Sequence, residues 1–411
     1  MSSLMKKLQD FCNNEFGSGT IIALDDAPKE RPHVSTGIWS LDRALGVGGL
    51  PLGGIIELFG PESSGKTSVL LSACKNCQLF LKRPVLFLDY ENCFDPVYAQ
   101  ALGVDLSGDW FAVSQPDTLE QGISIAEKYI IAEAVGLIVV DSLAAMLPKA
   151  ELEDAKGKER DIGDKVPMAA QGKAMADTLR RIIKRVRQSN VSLCFINQMR
   201  EDIRAAQRGY IKRTTPGSKT LRYYALARIE FMKVEGIKGK IENPVTGVME
   251  DGTVATVIEA TVVKNKVAPP FRRCRFVMGQ GLGYDEISTF IYIGKARGWI
   301  VSRGSWYEFP TLDGTQKLQG EEAVKNFYLQ NPEHFQALKD VIINEVENAG
   351  LHKEEEESVV AGVADLDSVL SELDSEDGAV TDSSDEAGVT DSSDEAVAEI
   401  DELNKISEAG E

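Results

Sequence analysis

The eight residues Gly60-Pro61-Glu62-Ser63-Ser64-Gly65-Lys66-Thr67 satisfy G-x-x-x-x-G-K-[ST] without a mismatch, an arrangement suited to holding phosphate. Gly60 and Gly65 let the backbone turn so that its N–H groups and the N-terminus of a following helix face the anion. Lys66 is then placed to reach the β- and γ-oxygens of a nucleoside triphosphate, and Thr67 to ligate Mg²⁺. The loop needs a strand before it and a helix after it. Ile55 to Phe59 is a short apolar strand and Thr67 to Leu81 reads as a helix, so that context is present. Another apolar run, Gly136 to Val140, ends in Asp141-Ser142. An apolar strand with a terminal Asp is the Walker B pattern, whose carboxylate lies beside the Mg²⁺ held by Thr67; capping of the following turn is the structural alternative.

These residues need a scaffold that brings strand ends together, and the chain has the parts. Val85 to Asp89 and Leu193 to Gln198 are further apolar runs with polar ends, and helical segments at Leu119 to Ala134 and Met168 to Arg187 alternate with the strands. Strands that are apolar throughout are buried on both faces, as in parallel sheets. The β-α-β-α order predicts an open α/β sheet that binds its ligand along the C-terminal strand edge. Ahead of this region Leu4, Met5, Leu8, Phe11 and Cys12 recur at helical spacing, and a polar stretch through Pro32 separates them from the core. Such a helix either docks on another surface or folds back on its own domain.

The 411 residues carry a net charge of −19, but unevenly. Glu354 to Glu411 holds 21 acidic residues against the single Lys405, leaving Met1 to Lys353 with 44 basic and 43 acidic residues. This tail contains the near-repeat Val380 to Gly388 and Val389 to Val397, with little apolar surface to bury, so disorder is expected there. The six cysteines form no secreted-type disulfide framework and suit a reducing cytoplasm. Cys74 and Cys77 make a lone C-x-x-C without a second ligand pair, which fits helix packing better than zinc. With only His33, His334 and His352 in the chain, a His-rich metal site or a Ser/His/Asp triad has little to build on. No long uncharged apolar run or signal-peptide core is present, so no membrane partner is expected.

Several blocks together resemble the RecA-type recombinases of bacteria and bacteriophages: Ser35 to Asp42, Gly48 to Pro51, Gly60 to Thr67, Asp95 to Tyr98, Ser114 to Thr118, Phe195 to Gln198 and Lys264 to Lys266, in that order. The similarity runs from about Phe16 to about Asp340. It implies an ATPase core with a mostly parallel sheet, an N-terminal helix and a small α+β C-terminal domain. The implied divisions are an N-terminal polymerisation helix and linker over 1–32, a core over 33–280, a C-terminal domain over 281–350 and an acidic tail over 351–411. Residue by residue, the resemblance makes Glu91 the group that activates the attacking water, although on residue type alone it reads equally as a surface carboxylate. Gln198 becomes the γ-phosphate sensor. Ser68 joins the phosphate loop, Tyr98 stacks on adenine and Asp95 meets its amino group. Lys264 and Lys266 become cations reaching a neighbouring subunit's ATP; unaided, they read as a solvated face. Tyr223 matches an aromatic at the subunit contact.

Two loops are implied to bind DNA. The first is Glu151 to Pro167. The second, Met199 to Lys219, carries Arg200, Arg204, Arg208, Lys212 and Arg213 interleaved with Ile203 and Tyr210, the mixture that phosphate neutralisation plus base contact requires. Both loops depart from the family pattern, the first by an insertion around Ala155 to Asp161 and the second by its length. The expectation is a cytoplasmic, DNA-dependent ATPase that forms filaments of itself on single-stranded DNA and pairs that strand with a homologous duplex. ATP and Mg²⁺ are its cofactors, with single-strand-binding and loader proteins as further partners. A hexameric helicase or remodelling ATPase on the same core, or a non-catalytic DNA-binding filament protein, are the alternatives.

Overall fold

The computed structural model describes residues 2–16, 31–154, 158–161, 170–201, 213–214, 218–243 and 245–348. Strands β1 (His33–Val34) and β2 (Leu50–Pro51) pair with each other ahead of the main sheet. The main sheet takes β3 (Gly54–Gly60), β4 (Val85–Asp89), β5 (Phe111–Ser114), β6 (Leu137–Asp141) and β7 (Ser192–Gln198). Beyond a short pair, β8 (Arg200–Glu201) with β9 (Arg213–Thr214), it adds β10 (Ala227–Glu242), β11 (Met249–Asn265), β12 (Arg273–Gly279) and β13 (Gly283–Tyr284).

The order across this nine-stranded sheet is β13-β12-β11-β10-β3-β7-β6-β4-β5. From β10 to β5 every pairing is parallel, and from β10 to β13 every pairing is antiparallel. The parallel half carries the motifs; the antiparallel half follows from short connections, which join only antiparallel neighbours. The composition of each strand agrees with its place. β3, β4 and β6 are buried at every position, whereas β10 alternates buried and half-buried residues before leaving the sheet.

Helices cover both faces. Trp39–Leu45, Lys66–Asn76 and Pro96–Ala101 bury Leu41, Leu45, Val69, Leu70 and Ala99 against Ile56, Leu58 and Val139. On the other face, Leu119–Ile131 and Ala170–Gln188 bury Ile123, Ile130, Leu179 and Ile182 against Ile55, Leu88 and Phe195. The helix expected to run to Leu81 becomes a π-helical turn over Cys77–Leu81. Widening there places the Gln78 amide inside, bonded to the Asp105 and Trp110 carbonyls at 2.8 and 3.1 Å. Cys74 and Cys77 are buried free thiols.

One charged residue interrupts the apolar run of β3. Glu57 is 1% exposed and accepts from Asn197 Nδ2 at 2.9 Å and Arg228 Nε at 2.5 Å. Arg228 also lies 4.6 Å from the centre of the Phe59 ring. Breaking such a pair leaves a charge buried without compensation, so Arg228→Met is expected to cost about 3–5 kcal/mol. A shift in urea midpoint with an unchanged denaturant slope would measure it; a change below about 1 kcal/mol would show that Glu57 finds another partner.

Past β13 come a helix at Glu286–Ala296, the antiparallel sheet β14 (Val301–Arg303), β15 (Trp306–Thr311) and β16 (Gly314–Gln319), a helix at Glu321–Gln330, and a last helix beginning at residue 332. Phe309, Phe327, Tyr328 and Phe335 pack among them. The first helix, Ser2–Phe16, keeps Met5 and Phe11 well exposed. Among the described residues no helix is long and apolar enough to cross a membrane.

Candidate active site

The parallel half of the sheet reverses its strand order around β3. The chain passes from β3 to β4, on to the edge at β5, and returns through β6 and β7 to lie beside β3. A crevice at the C-terminal strand ends follows from such a reversal. Register places Gly60 beside Gln198 and Asp89 beside Asp141, so four strand ends, three of them polar, share one edge.

The phosphate loop leaves β3 at Gly60 and enters the Lys66–Asn76 helix through Gly65. Gly60 has no alternative, because a Cβ there would sit 2.3 Å from the Phe231 carbonyl oxygen. Gly65 adopts φ +81°, a left-handed conformation that side chains disfavour. Ser64 Oγ donates to the Pro61 carbonyl at 2.8 Å and closes the turn. The helix has no side-chain cap, so its first N–H groups face the loop. Lys66, 7% exposed, donates to the Gly60 carbonyl at 3.2 Å, the Pro61 carbonyl at 2.7 Å and Ser64 Oγ at 3.2 Å. Burial holds its ammonium below the ordinary lysine range, while Asp141, Glu62 and Glu91 work against the shift.

Thr67 and Asp141 meet directly, with Thr67 Oγ1 donating to Asp141 Oδ2 at 3.0 Å. Burial pushes the Asp141 carboxyl up to about 6, helped by Glu91 and Asp89 and opposed by Thr67 and Lys66. At neutral pH it is therefore a carboxylate held at a cost that a cation would relieve. Among the described residues no group of three or more His, Cys, Asp or Glu could hold a metal. A hydroxyl beside one carboxylate at a phosphate loop instead suits Mg²⁺, which shares its coordination with ligand phosphates and water.

Glu91 lies two residues past β4, exposed, and accepts from Ser142 Oγ. Cys93 Sγ donates weakly to its other oxygen at 3.8 Å. The turn carrying Glu91 is held by Asp89, 1% exposed, which accepts from the Cys93 and Phe94 backbone N–H groups at 3.3 and 3.1 Å. Sequence reasoning missed Asp89 and Ser142 as supports; each stands at a strand end beside a residue it did single out. Asp95 spends Oδ1 on capping the Pro96–Ala101 helix, bonded to the Val97 and Tyr98 N–H groups at 2.9 and 3.0 Å. Tyr98 OH lies 2.7 Å from Ser68 Oγ, which ties that helix to the loop.

A cavity of about 330 Å³ opens beside Ser63, Gly65, Ser68 and Tyr98. Its far wall comes from the antiparallel half: Lys233 on β10, Thr256 on β11 and the turn after β12. Nothing in the sequence marked this wall, because it depends on how β10 packs on β3.

Lys264 and Lys266 are not brought to the loop of the same chain. Lys264 pairs in register with Arg228, itself level with Glu57, on the order of 10 Å along the strand from Gly60. Lys264 Nζ donates to the Arg222 and Tyr223 carbonyls at 2.5 and 2.9 Å, and Lys266 Nζ lies 3.5 Å from the latter. Burial, then the charges of Lys266 and Arg228, lowers Lys264 to about 8. Tyr223 is 75% exposed. Of the loop residues, Arg200 and Arg213 are described only as backbone of β8 and β9; Ile203, Arg204, Arg208, Tyr210 and Lys212 lie outside the described residues, as do parts of the first loop and the acidic tail.

Residues 3–284 match the RecA N-terminal domain. The chain is 38% identical over 322 residues to Protein RecA of Streptomyces ambofaciens, covering 78% of this chain and 79% of that one. It is 38% identical over 324 residues to Protein RecA of Mycolicibacterium gilvum, 78% of this chain and 85% of that one. For Protein RecA of Allochromatium vinosum the figures are 36% over 327 residues, 79% and 87%. A strand-loop-helix phosphate cradle facing a strand-end carboxylate, embedded in a match of this extent, leads to one conclusion: the chain belongs to the RecA family.

Proposed function

We propose that this protein is a DNA strand-exchange ATPase that forms filaments on single-stranded DNA and pairs that strand with a homologous duplex in recombination and repair. The observation that carries the catalytic part is the meeting of Lys66, Thr67, Asp141 and the Glu91–Ser142 pair at one strand edge. ATP would lay its phosphates against the loop N–H groups, and Lys66 would exchange its carbonyl partners for phosphate oxygens. Thr67 and Asp141 would hold Mg²⁺, which supplies neutralising charge to the β- and γ-oxygens. Water attacks the γ-phosphorus as Glu91 takes its proton; the bond to the bridging oxygen breaks, and ADP and phosphate leave. Ser142 steadies one oxygen of Glu91, and the other, held only by the weak Cys93 contact, would turn to water.

In this reading Gln198, beside Gly60, senses the γ-phosphate and passes its state to the second loop. Tyr98 packs on adenine, and Asp95 offers it the oxygen not used as a cap. The exposed apolar face of the N-terminal helix and the exposed Tyr223 fit contacts between successive subunits. Residues 33–280 form the catalytic core, 281–350 a DNA-gathering domain and 351–411 an acidic tail. The protein acts in the cytoplasm, alongside single-strand-binding and loader proteins. Negative-stain microscopy with ATP and single-stranded DNA tests the proposal: helical filaments on the DNA are expected, whereas closed rings would favour a helicase.

A further inference from the structure

The far wall of the nucleotide cavity contains a cation with no assigned task. Lys233 lies on β10, the parallel neighbour of β3, and lines the cavity with Ser63, Gly65, Ser68 and Tyr98. Phe231, two residues earlier and on the same strand face, packs against Gly60 at the root of the phosphate loop. The ladder shifts register between Lys233 and Glu235, just past the last pairing of β10 with β3 and where β11 is still paired with β12. Lys233 therefore stands where the strand is still fixed by Ile258, its buried partner on β11. Its charge is felt at Lys66, which opens the helix after the phosphate loop and turns its own ammonium back onto that loop. The two lysines differ in their surroundings. Asp141, Glu62 and Glu91 compensate Lys66, whereas among the described residues no carboxylate pairs with Lys233. The two positive charges oppose each other, and an anion bound beside the phosphate loop would compensate both.

We propose that Lys233 is a second cation of the nucleotide site, supplied by the same chain, which binds the polyphosphate across the cavity from the phosphate loop. The inference rests on the ATP-site reading above and adds a residue to it. A lysine at the base of a strand pair leaving the sheet could instead serve only as a solvated surface group, and equilibrium binding separates the two. Full-length protein with Mg²⁺ would be titrated with fluorescent ATP and ADP analogues over a salt series. Lys233→Gln is expected to weaken both by about tenfold, the size of one charge-assisted hydrogen bond. The loss should shrink between about 50 and about 500 mM salt as the charge is screened. Lys233→Arg, which keeps the charge, should bind within about threefold of the parent. Unchanged affinity in Lys233→Gln would overturn the proposal, as would an equal loss in Lys233→Arg or a loss insensitive to salt. Lys66→Ala is the companion: normal binding in that variant would remove the ATP-site reading itself, whereas a defect there beside normal Lys233→Gln would remove Lys233 alone.

Discussion

Glu91→Gln is expected to bind ATP and assemble on single-stranded DNA like the parent protein, yet to lose turnover by about 10²- to 10⁴-fold. The amide keeps the size of the side chain and can still meet Ser142 Oγ, the bond that steadies it. It cannot take a proton from water. The loop, Lys66, Thr67 and Asp141 are untouched, so affinity for nucleotide should survive. Steady-state phosphate release beside equilibrium nucleotide binding would separate the two effects. ATPase within about threefold of the parent would assign the proton to another group. Loss of binding together with turnover would instead make Glu91 a structural support for the β4 end.

The second large effect is expected from Lys264 and Lys266, which stand apart from their own loop and are proposed to act on a neighbouring subunit's ATP. The double variant Lys264→Ala/Lys266→Ala should lose about 10³- to 10⁵-fold of DNA-stimulated turnover, the contribution known for cations placed on a transferring phosphoryl group. Mixed with Lys66→Ala subunits, it should regain activity, because some interfaces then join an intact loop to intact lysines. Mixtures that stay inactive while subunits exchange would argue for action within one chain. The same cation makes a pH prediction. Lys264 is lowered to about 8 by burial and by neighbouring positive charge, so it loses its proton as pH rises through about 8. Turnover should fall on that side, and Lys264→Arg, which stays protonated, should remove the alkaline fall. An unchanged alkaline limb in Lys264→Arg would place the titration elsewhere.

Local physics made much of this protein legible in its sequence. The apolar runs of β3, β4, β6 and β7 announce strands buried on both faces, and Gly60 to Thr67 announces a phosphate loop, with glycine at the left-handed position 65. Asp141 was readable for a similar reason: a carboxylate ending an apolar strand has few local uses. The antiparallel half of the sheet, the turn from an α- to a π-helix at Cys77 and the burial of Glu57 against Arg228 were not readable, because each depends on partners remote in sequence. Asp95 shows the limit from the other side, since its residue type fits both a helix cap and a base contact, and the fold commits one oxygen to the cap. The chemistry of the loop was legible from residue order alone, because consecutive residues carry it. Tertiary structure decided what surrounds it: that Ser142 steadies Glu91, that Lys233 faces the cavity and that Lys264 and Lys266 stand apart from their own loop. The physical reason is that strand order and register set these positions, and both follow from burying the whole sheet at once.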